Sequence, residues 1–288
     1  MKGILIVNHY LNSDKFTSLN KWVLESAKKY NIDMKIFTNR EVMLLSEDEI
    51  KSQCDFILFW DKDIMLAKRL ENMNIRVINS SDSILNCDDK ALTYLKLYNS
   101  GIQMPKTIIA PMTYDNIGYS DSGFLKEAAD ILSFPLIIKE RFGSFGYQVY
   151  KADNYEELHR ISYEKWNNKL IFQQYIKETE GKDIRINVVG GKVVAAMKRV
   201  AKENDFRANI TNGGTMSKYT PTDKDCEIAI KASEILGLDF CGVDLLFGAE
   251  DNERYLCEVN SNAHFINIFN CTGVNVADKI FEYIRGNV

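Results

Sequence analysis

Two carboxylates in the last third of the chain have the types and spacing to hold a metal ion: Asp244 in Gly242-Val243-Asp244-Leu245-Leu246 and Glu258 in Cys257-Glu258-Val259-Asn260. Each sits in a short apolar run that reads as a strand, and Gly248 to Glu253 between them reads as a turn. A hairpin centred on Asp251 sets Asp244 directly opposite Glu258, with Asn260 projecting from the same face. Opposed side chains in an antiparallel pair have Cβ atoms about 4.5–5.5 Å apart, and like charges there are destabilising. A hard dication between the carboxylates removes the conflict, and oxygen donors without Cys or His favour Mg²⁺. The same residues would equally suit a solvated hairpin face carrying two ordinary acids. A register slip of one residue would separate them.

Other residues could handle anions. Lys139 ends an apolar run and is followed by Gly143, Ser144 and Gly146, a loop whose backbone N–H groups could approach a phosphate while the lysine supplies a point charge. A hairpin turn with a snorkelling lysine explains the same residues. Lys90, just inside a helix start, is either a second phosphate contact or a surface residue. Asp183, Arg185 and Asn187 share one face of a strand, and Arg199 ends its returning partner. Arg207 and Asn209, two apart, would point the same way in a strand. Guanidinium groups converging beside two carboxylates suit phosphate or carboxylate oxygens near a metal; surface ion pairs are the plainer account. Gln174-Tyr175-Ile176, leaving a short strand, could offer backbone groups to an adenine edge. Among the histidines, His264 lies closest in sequence to the acidic pair, His9 could line a cleft with Asn8, and His159 sits in a charged helical stretch.

The elements that must position these residues come in two styles. Over the first 80 or so residues, strand and helix alternate: strands at Ile4–Val7, Met34–Phe37, Phe56–Trp60 and Arg76–Asn79, and a helix over Ser18–Tyr30. That is a small parallel α/β unit, without a G-x-G-x-x-G after its first strand. From Asp88 the character changes. Asp88-Asp89-Lys90 opens a helix that stops at Gly101, Met104–Thr107 is extended, and Phe134–Lys139 is a buried strand. Gly190-Gly191 turns a hairpin between Ile184–Val189 and Val193–Met197. Val274–Ile284 is a closing amphipathic helix.

The 288 residues allow two or three compact lobes, and 45% hydrophobic with 26% charged residues is ordinary globular composition. A formal net charge of −4 argues against nucleic acid or an anionic membrane as the main partner. The apolar run Ile4–Val7 is too short for a signal peptide, and no segment approaches a membrane span. Six cysteines form no C-x-x-C or C-x-x-H pair, which fits a reducing cytoplasm and not a zinc site.

Taken in order, these segments resemble the ATP-grasp superfamily, most closely its RimK-type ligases. The densest similarity runs from Gln174-Tyr175-Ile176 through Gly181-Lys182-Asp183-Ile184-Arg185, Val188-Val189-Gly190-Gly191, Arg199, Asp205-Phe206-Arg207-Ala208-Asn209 and Gly213-Gly214 to Gly242-Val243-Asp244, Glu258-Val259-Asn260 and Thr272-Gly273. The resemblance implies an α/β (α+β) fold: a parallel pre-ATP-grasp domain over 1–86, then an ATP-grasp domain over 87–288 with antiparallel sheets, a lid at about 107–174 and a C-terminal lobe at about 175–288. It implies ATP and Mg²⁺ as cofactors, two ions with Mn²⁺ as a substitute, held by Asp244, Glu258 and Asn260. It makes Lys90, Lys139, Gly143, Ser144 and Gly146 phosphate contacts, Gln174, Tyr175 and Ile176 the adenine hinge, and Asp183 a ribose neighbour. Arg207 and Asn209 fall by the γ-phosphate, and Arg199 faces the acyl substrate.

The implied reaction joins a carboxylate to an amine, on a small molecule or peptide, through an acyl phosphate. A macrocycle-forming peptide ligase of the same fold and a nucleotide-binding regulatory protein without ligase activity are the alternatives. Family precedent suggests a homodimer or homotetramer. Where the family has Ser-Pro-Gly after the metal-site Asn, this chain has Ser261-Asn262-Ala263-His264-Phe265. Substrate reading is therefore expected from Asn262 and His264, with Arg185 beside them.

Overall fold

A computed structural model of the chain describes residues 1–114, 116–143, 146–203, 205–208, 210 and 213–288. The first third builds β1 (Lys2–Val7), α1 (Asp14–Lys29), β2 (Asp33–Thr38), α2 (Asn39–Leu44), α3 (Glu47–Lys51), β3 (Phe56–Trp60), α4 (Ile64–Asn72) and β4 (Arg76–Ile78). The four strands form a parallel sheet in the order β2-β1-β3-β4. Ile4, Leu5 and Ile6 of β1 and the whole of Phe56–Trp60 are buried, as parallel strands covered on both faces require.

Two helices lead on. α5 (Ser81–Asp88) and α6 (Lys90–Leu97) abut at Asp89. The sequence suggested one helix opening at Asp88; instead Asp89 caps α6, its carboxylate accepting from Ala91 N–H and Leu92 N–H. The helix ends at Leu97, short of Gly101. The second sheet comprises β5 (Thr107–Ile109), β6 (Leu136–Glu140), β7 (Val149–Ala152) and β8 (Leu170–Gln174), in the antiparallel order β5-β8-β6-β7. Helices α7 (Gly123–Leu132) and α8 (Tyr155–Lys165) cover it, with Leu125, Ala129, Leu132, Leu158 and Ile161 joining Leu136, Ile138 and Phe172 in one core.

The third sheet is antiparallel in the order β11-β10-β9-β12-β13, from β9 (Lys182–Val189), β10 (Lys192–Val200), β11 (Thr215–Lys218), β12 (Phe240–Phe247) and β13 (Arg254–Asn260). Gly190 and Gly191 both take positive φ, 55° and 70°, as the two-residue β9–β10 turn demands. Between β11 and β12, helix α9 (Asp223–Leu236) covers one face, packing Ile228, Ala229, Ala232 and Leu236 on Ile184, Ile186, Val188, Val243 and Leu245. Residues one position away along these strands point to the other face, and that face carries the charges.

The chain ends in α10 (Ile266–Thr272) and α11 (Val276–Asn287). Val276, Ile280, Phe281 and Ile284 of α11 share a core with Leu19, Val23 and Ala27 of α1, so the last helix is cemented to the first. Asn79 makes a second joint. Fully buried, it accepts from Asp239 N–H (2.8 Å) and Phe240 N–H (3.2 Å) and donates to the Phe240 and Ser261 carbonyls (2.9 and 3.0 Å). The parallel sheet is thus tied to β12 and to the chain just after β13. No described helix is long and apolar enough to cross a membrane.

Candidate active site

The charged face of the third sheet is a row across four strands. Met197 pairs with Arg185, Arg185 with Asp244, and Asp244 with Glu258; Arg199 pairs with Asp183 two positions along. Asp244 lies opposite Glu258, as the sequence reading expected, but by another route. The turn end of the hairpin pairs Phe247 with Arg254 and Leu245 with Leu256, a register that would set Asp244 against Cys257. A bulge between Asp244 and Leu245 absorbs Cys257 and restores the opposition. Cys257 and Glu258 consequently both line the cleft.

Two guanidinium groups meet Asp244. Arg185 pairs with it through both nitrogens, at 2.6 Å on Nη2, and Arg199 Nη2 lies 3.0 Å away while also holding Asp183 at 2.5–2.6 Å. Asp244 and Asp183 are 4% and 8% exposed, so this is a buried network rather than the surface pairing of the plainer account. Burial works to raise the Asp244 carboxyl, but the two guanidiniums outweigh it and hold it below the usual carboxylate range. Asp183 goes the other way: burial pushes it up to about 6 against the pull of Arg199.

The donor set fits Mg²⁺. It is oxygen-only, and an ionised carboxylate offers more lone pairs than Arg185 and Arg199 use. Asn260 adds a side-chain amide whose buried nitrogen has no hydrogen-bond partner among the described residues. No group of three His, Cys, Asp or Glu side chains placed to hold a metal ion by themselves occurs among those residues. Two carboxylates completed by substrate phosphates is the way Mg²⁺ is usually held.

The second sheet faces this row across a cleft of about 490 Å³, within the range of nucleotide-sized sites. Lys139, 7% exposed on β6, reaches over to Cys257, Nζ to Sγ 3.7 Å. Lys90 Nζ reaches the carbonyls of Gly143 (3.3 Å) and Arg141 (3.5 Å), and burial lowers it from the ordinary lysine range. It lines a small side cavity with Lys139, Cys257 and Glu258. Gln174, Tyr175 and Ile176 line the main cleft where β8 ends, and burial raises the Tyr175 phenol. Gly146 is on the cleft wall, its carbonyl accepting from Arg207 Nη1 at 3.0 Å. Ser144 and Asn209 lie outside the described residues. Phe206 and Arg207 form a bend, not the strand expected there; Arg207 is held by Asp205.

On the far side, Arg185, Asn262 and His264 line the cleft together. Gly242 makes room for their loop: a Cβ there would sit 2.5 Å from the Ala263 Cβ and 3.0 Å from Arg185 Cδ. His264 is pushed down to about 4, chiefly by burial with Lys15 nearby, so it is neutral near pH 7. Asn8 lines the cleft, whereas His9 turns to Tyr10 and Arg40.

The profile of the RimK-like ATP-grasp domain matches residues 87–284. The chain belongs to the RimK-like ATP-grasp family. It is 34% identical over 224 residues to human N-acetylaspartylglutamate synthase A and 32% identical over 224 residues to human beta-citrylglutamate synthase B, covering 77% of this chain and 56% of each of those proteins. It therefore spans little more than half the length of these curated relatives. D-alanine–D-alanine ligase from Bacillus anthracis, solved with ATP, superposes with a TM-score of 0.75 at 18% identity, over 99% of this chain and 96% of that one. That likeness establishes the ATP-grasp fold: a parallel sheet followed by two antiparallel ones.

Sequence reasoning missed several residues in and behind the ATP-grasp cleft. Asp89, behind the cleft, caps α6 and also receives Arg141 (Nε at 2.9 Å), so it ties the Lys90 helix to the end of β6. Gln173, whose side chain donates to Thr107 Oγ1 at 2.8 Å, and Lys15, Trp60 and Asp61 also line the cleft. Gln173 directly precedes the Gln174-Tyr175-Ile176 run, whereas nothing in the local sequence marks Lys15, Trp60 or Asp61, because the fold brings them in from α1 and the end of β3.

Proposed function

We propose that this ATP-grasp protein is an ATP- and Mg²⁺-dependent carboxylate–amine ligase that forms an amide through an acyl phosphate. In this reading residues 1–86 are the preceding domain and 87–288 the catalytic one, with its lid at about 107–174. The observation that carries the reading is the buried Arg185–Asp244–Arg199–Asp183 network beside Glu258 and Asn260, facing Lys139 across one cleft. Buried charge is costly unless it is paired or bound, so such a set concentrated in one cleft points to an ionic substrate.

The adenine would rest by Gln174, Tyr175 and Ile176, and Lys90, Lys139 and the Gly143–Gly146 loop would hold the phosphates. Bound Mg²⁺, as two ions with Mn²⁺ a substitute, would neutralise the transferred phosphoryl group and the departing ADP. A substrate carboxylate oxygen attacks the γ-phosphorus, and an amine then displaces phosphate from the acyl carbon. Arg199 and Arg207 would hold the oxyanions of these steps. The acyl phosphate would hydrolyse in free water, so the second sheet must cover the cleft during turnover.

The relatives' names suggest first substrates: L-glutamate as amine, with N-acetylaspartate or citrate as acid. Purified chain with ATP and Mg²⁺ is assayed for ADP release and, by mass spectrometry, for a product lighter by one water than its two parts; cell extract widens the panel. ADP that appears only when acid and amine are both present supports the reading. ATP binding without turnover across the panel would return the regulatory alternative.

A further inference from the structure

The parallel sheet contributes more than support. Its order, β2-β1-β3-β4, makes the gap between β1 and β3 a topological switch point, where open α/β sheets take ligands at the carboxyl ends of their strands. Val7 pairs with Trp60, so Asn8 and Asp61 are the first residues beyond those ends, and both line the cleft.

Asp61 is built in rather than trailing. Trp60 stacks on Phe240 at 5.3 Å and meets Phe265 edge-on at 5.8 Å. Asn8 Nδ2 donates to both Asp61 oxygens (3.0 and 3.3 Å), the Lys62 N–H donates to Oδ1 (2.7 Å), and Asn262 Nδ2 donates to the Asp61 carbonyl (2.7 Å). The side chain is therefore oriented by neutral donors only. Although Asp61 is just 6% exposed, no Lys, Arg or His forms an ion pair with it among the described residues; neighbouring Lys62 is committed to Asp88. A buried carboxylate in a substrate cleft without a cationic partner is a place for a cationic substrate group.

Resting on the ligase reading, we propose that Asp61 is a catalytic residue that receives the ammonium group of the amine substrate and takes the proton that must leave before nitrogen can attack. The ammonium gives one proton to the Asp61 carboxylate, and the freed lone pair forms the C–N bond at the acyl phosphate. The C–O bond to phosphate breaks, and the second proton leaves with phosphate as hydrogen phosphate. Burial raises the Asp61 carboxyl above its ordinary range, the direction a proton acceptor needs. Asn8 and Asn262 are positioning residues. Asn262 links Asp61 to the loop where this chain departs from the Ser-Pro-Gly pattern.

The test sets a protonated amine against a nucleophile that is neutral at pH 7. D61N is assayed with ATP, Mg²⁺ and the acid that supports wild-type turnover, once with the amine and once with hydroxylamine. Amide formation should fall about 100-fold or more, while hydroxamate formation stays within about threefold of wild type. The hydroxylamine arm also reports that D61N is folded and makes the acyl phosphate. Equal loss in both arms, or no loss in either, overturns the assignment. Should D61N fail to fold, N8A must raise the amine KM several-fold more than it raises the hydroxylamine KM, and equal effects on both would again overturn it. If wild type releases no ADP with any acid, the ligase reading itself has failed, an outcome distinct from a selective result at Asp61.

Discussion

At the scale of single residues, burial decides what each charge can do. Asp244 is held ionised by Arg185 and Arg199, whereas Glu258 opposite it has no ion pair among the described residues. Glu258→Gln keeps the shape and removes one anionic oxygen donor. On the proposed function, Mg²⁺-dependent ADP formation should drop at least about 100-fold, as when a group stabilising transition-state charge is removed; unchanged turnover would remove Glu258 from the metal set.

His264 makes a stability prediction of definite sign. In the fold it sits near pH 4, whereas an unfolded imidazole titrates near 6.5. Between those values the unfolded chain binds more protons, so its contribution is complete above about pH 6.5 and is lost as pH falls towards 4. Urea midpoints at pH 5 and pH 7.5 should differ less in His264→Gln than in wild type; equal differences would contradict the burial.

At the scale of elements, the site depends on joints that hold strands in register. The Cys257 bulge sets Glu258 against Asp244, and without it Cys257 would take that place. Asn79 ties β4 to β12 and to Ser261 through four buried hydrogen bonds. Asn79→Ala leaves backbone groups unpaired and should destabilise the chain by about 3 kcal/mol, read from chemical denaturation. A loss below about 1 kcal/mol would mean water replaces those bonds without difficulty.

At the scale of the molecule, three sheets meet on one cleft, and a ligand touching all of them stabilises the whole. ATP with Mg²⁺ at about 100 times its dissociation constant should add about 2.7 kcal/mol of apparent stability, visible as a higher Tm. Glu258→Gln should lose the Mg²⁺-dependent part of that rise and keep the part due to ATP alone. A Tm that does not respond to ATP would count against a nucleotide in this cleft.

The sequence by itself determined most of the strands that carry the site. Short apolar runs, the Gly190-Gly191 turn and the Asp244/Glu258/Asn260 spacing are local patterns, and local patterns survive in a linear chain. The tertiary structure alone decided the rest. Asp61 reaches the cleft from just beyond β3 and Lys15 from α1, and Arg207 is placed by a bend against Gly146 rather than by a strand. Two guanidiniums converge on Asp244 because neighbouring strands align them. A bulge is one inserted residue, indistinguishable in sequence from its neighbours, and burial of a carboxylate without a counterion depends on contacts between residues far apart along the chain.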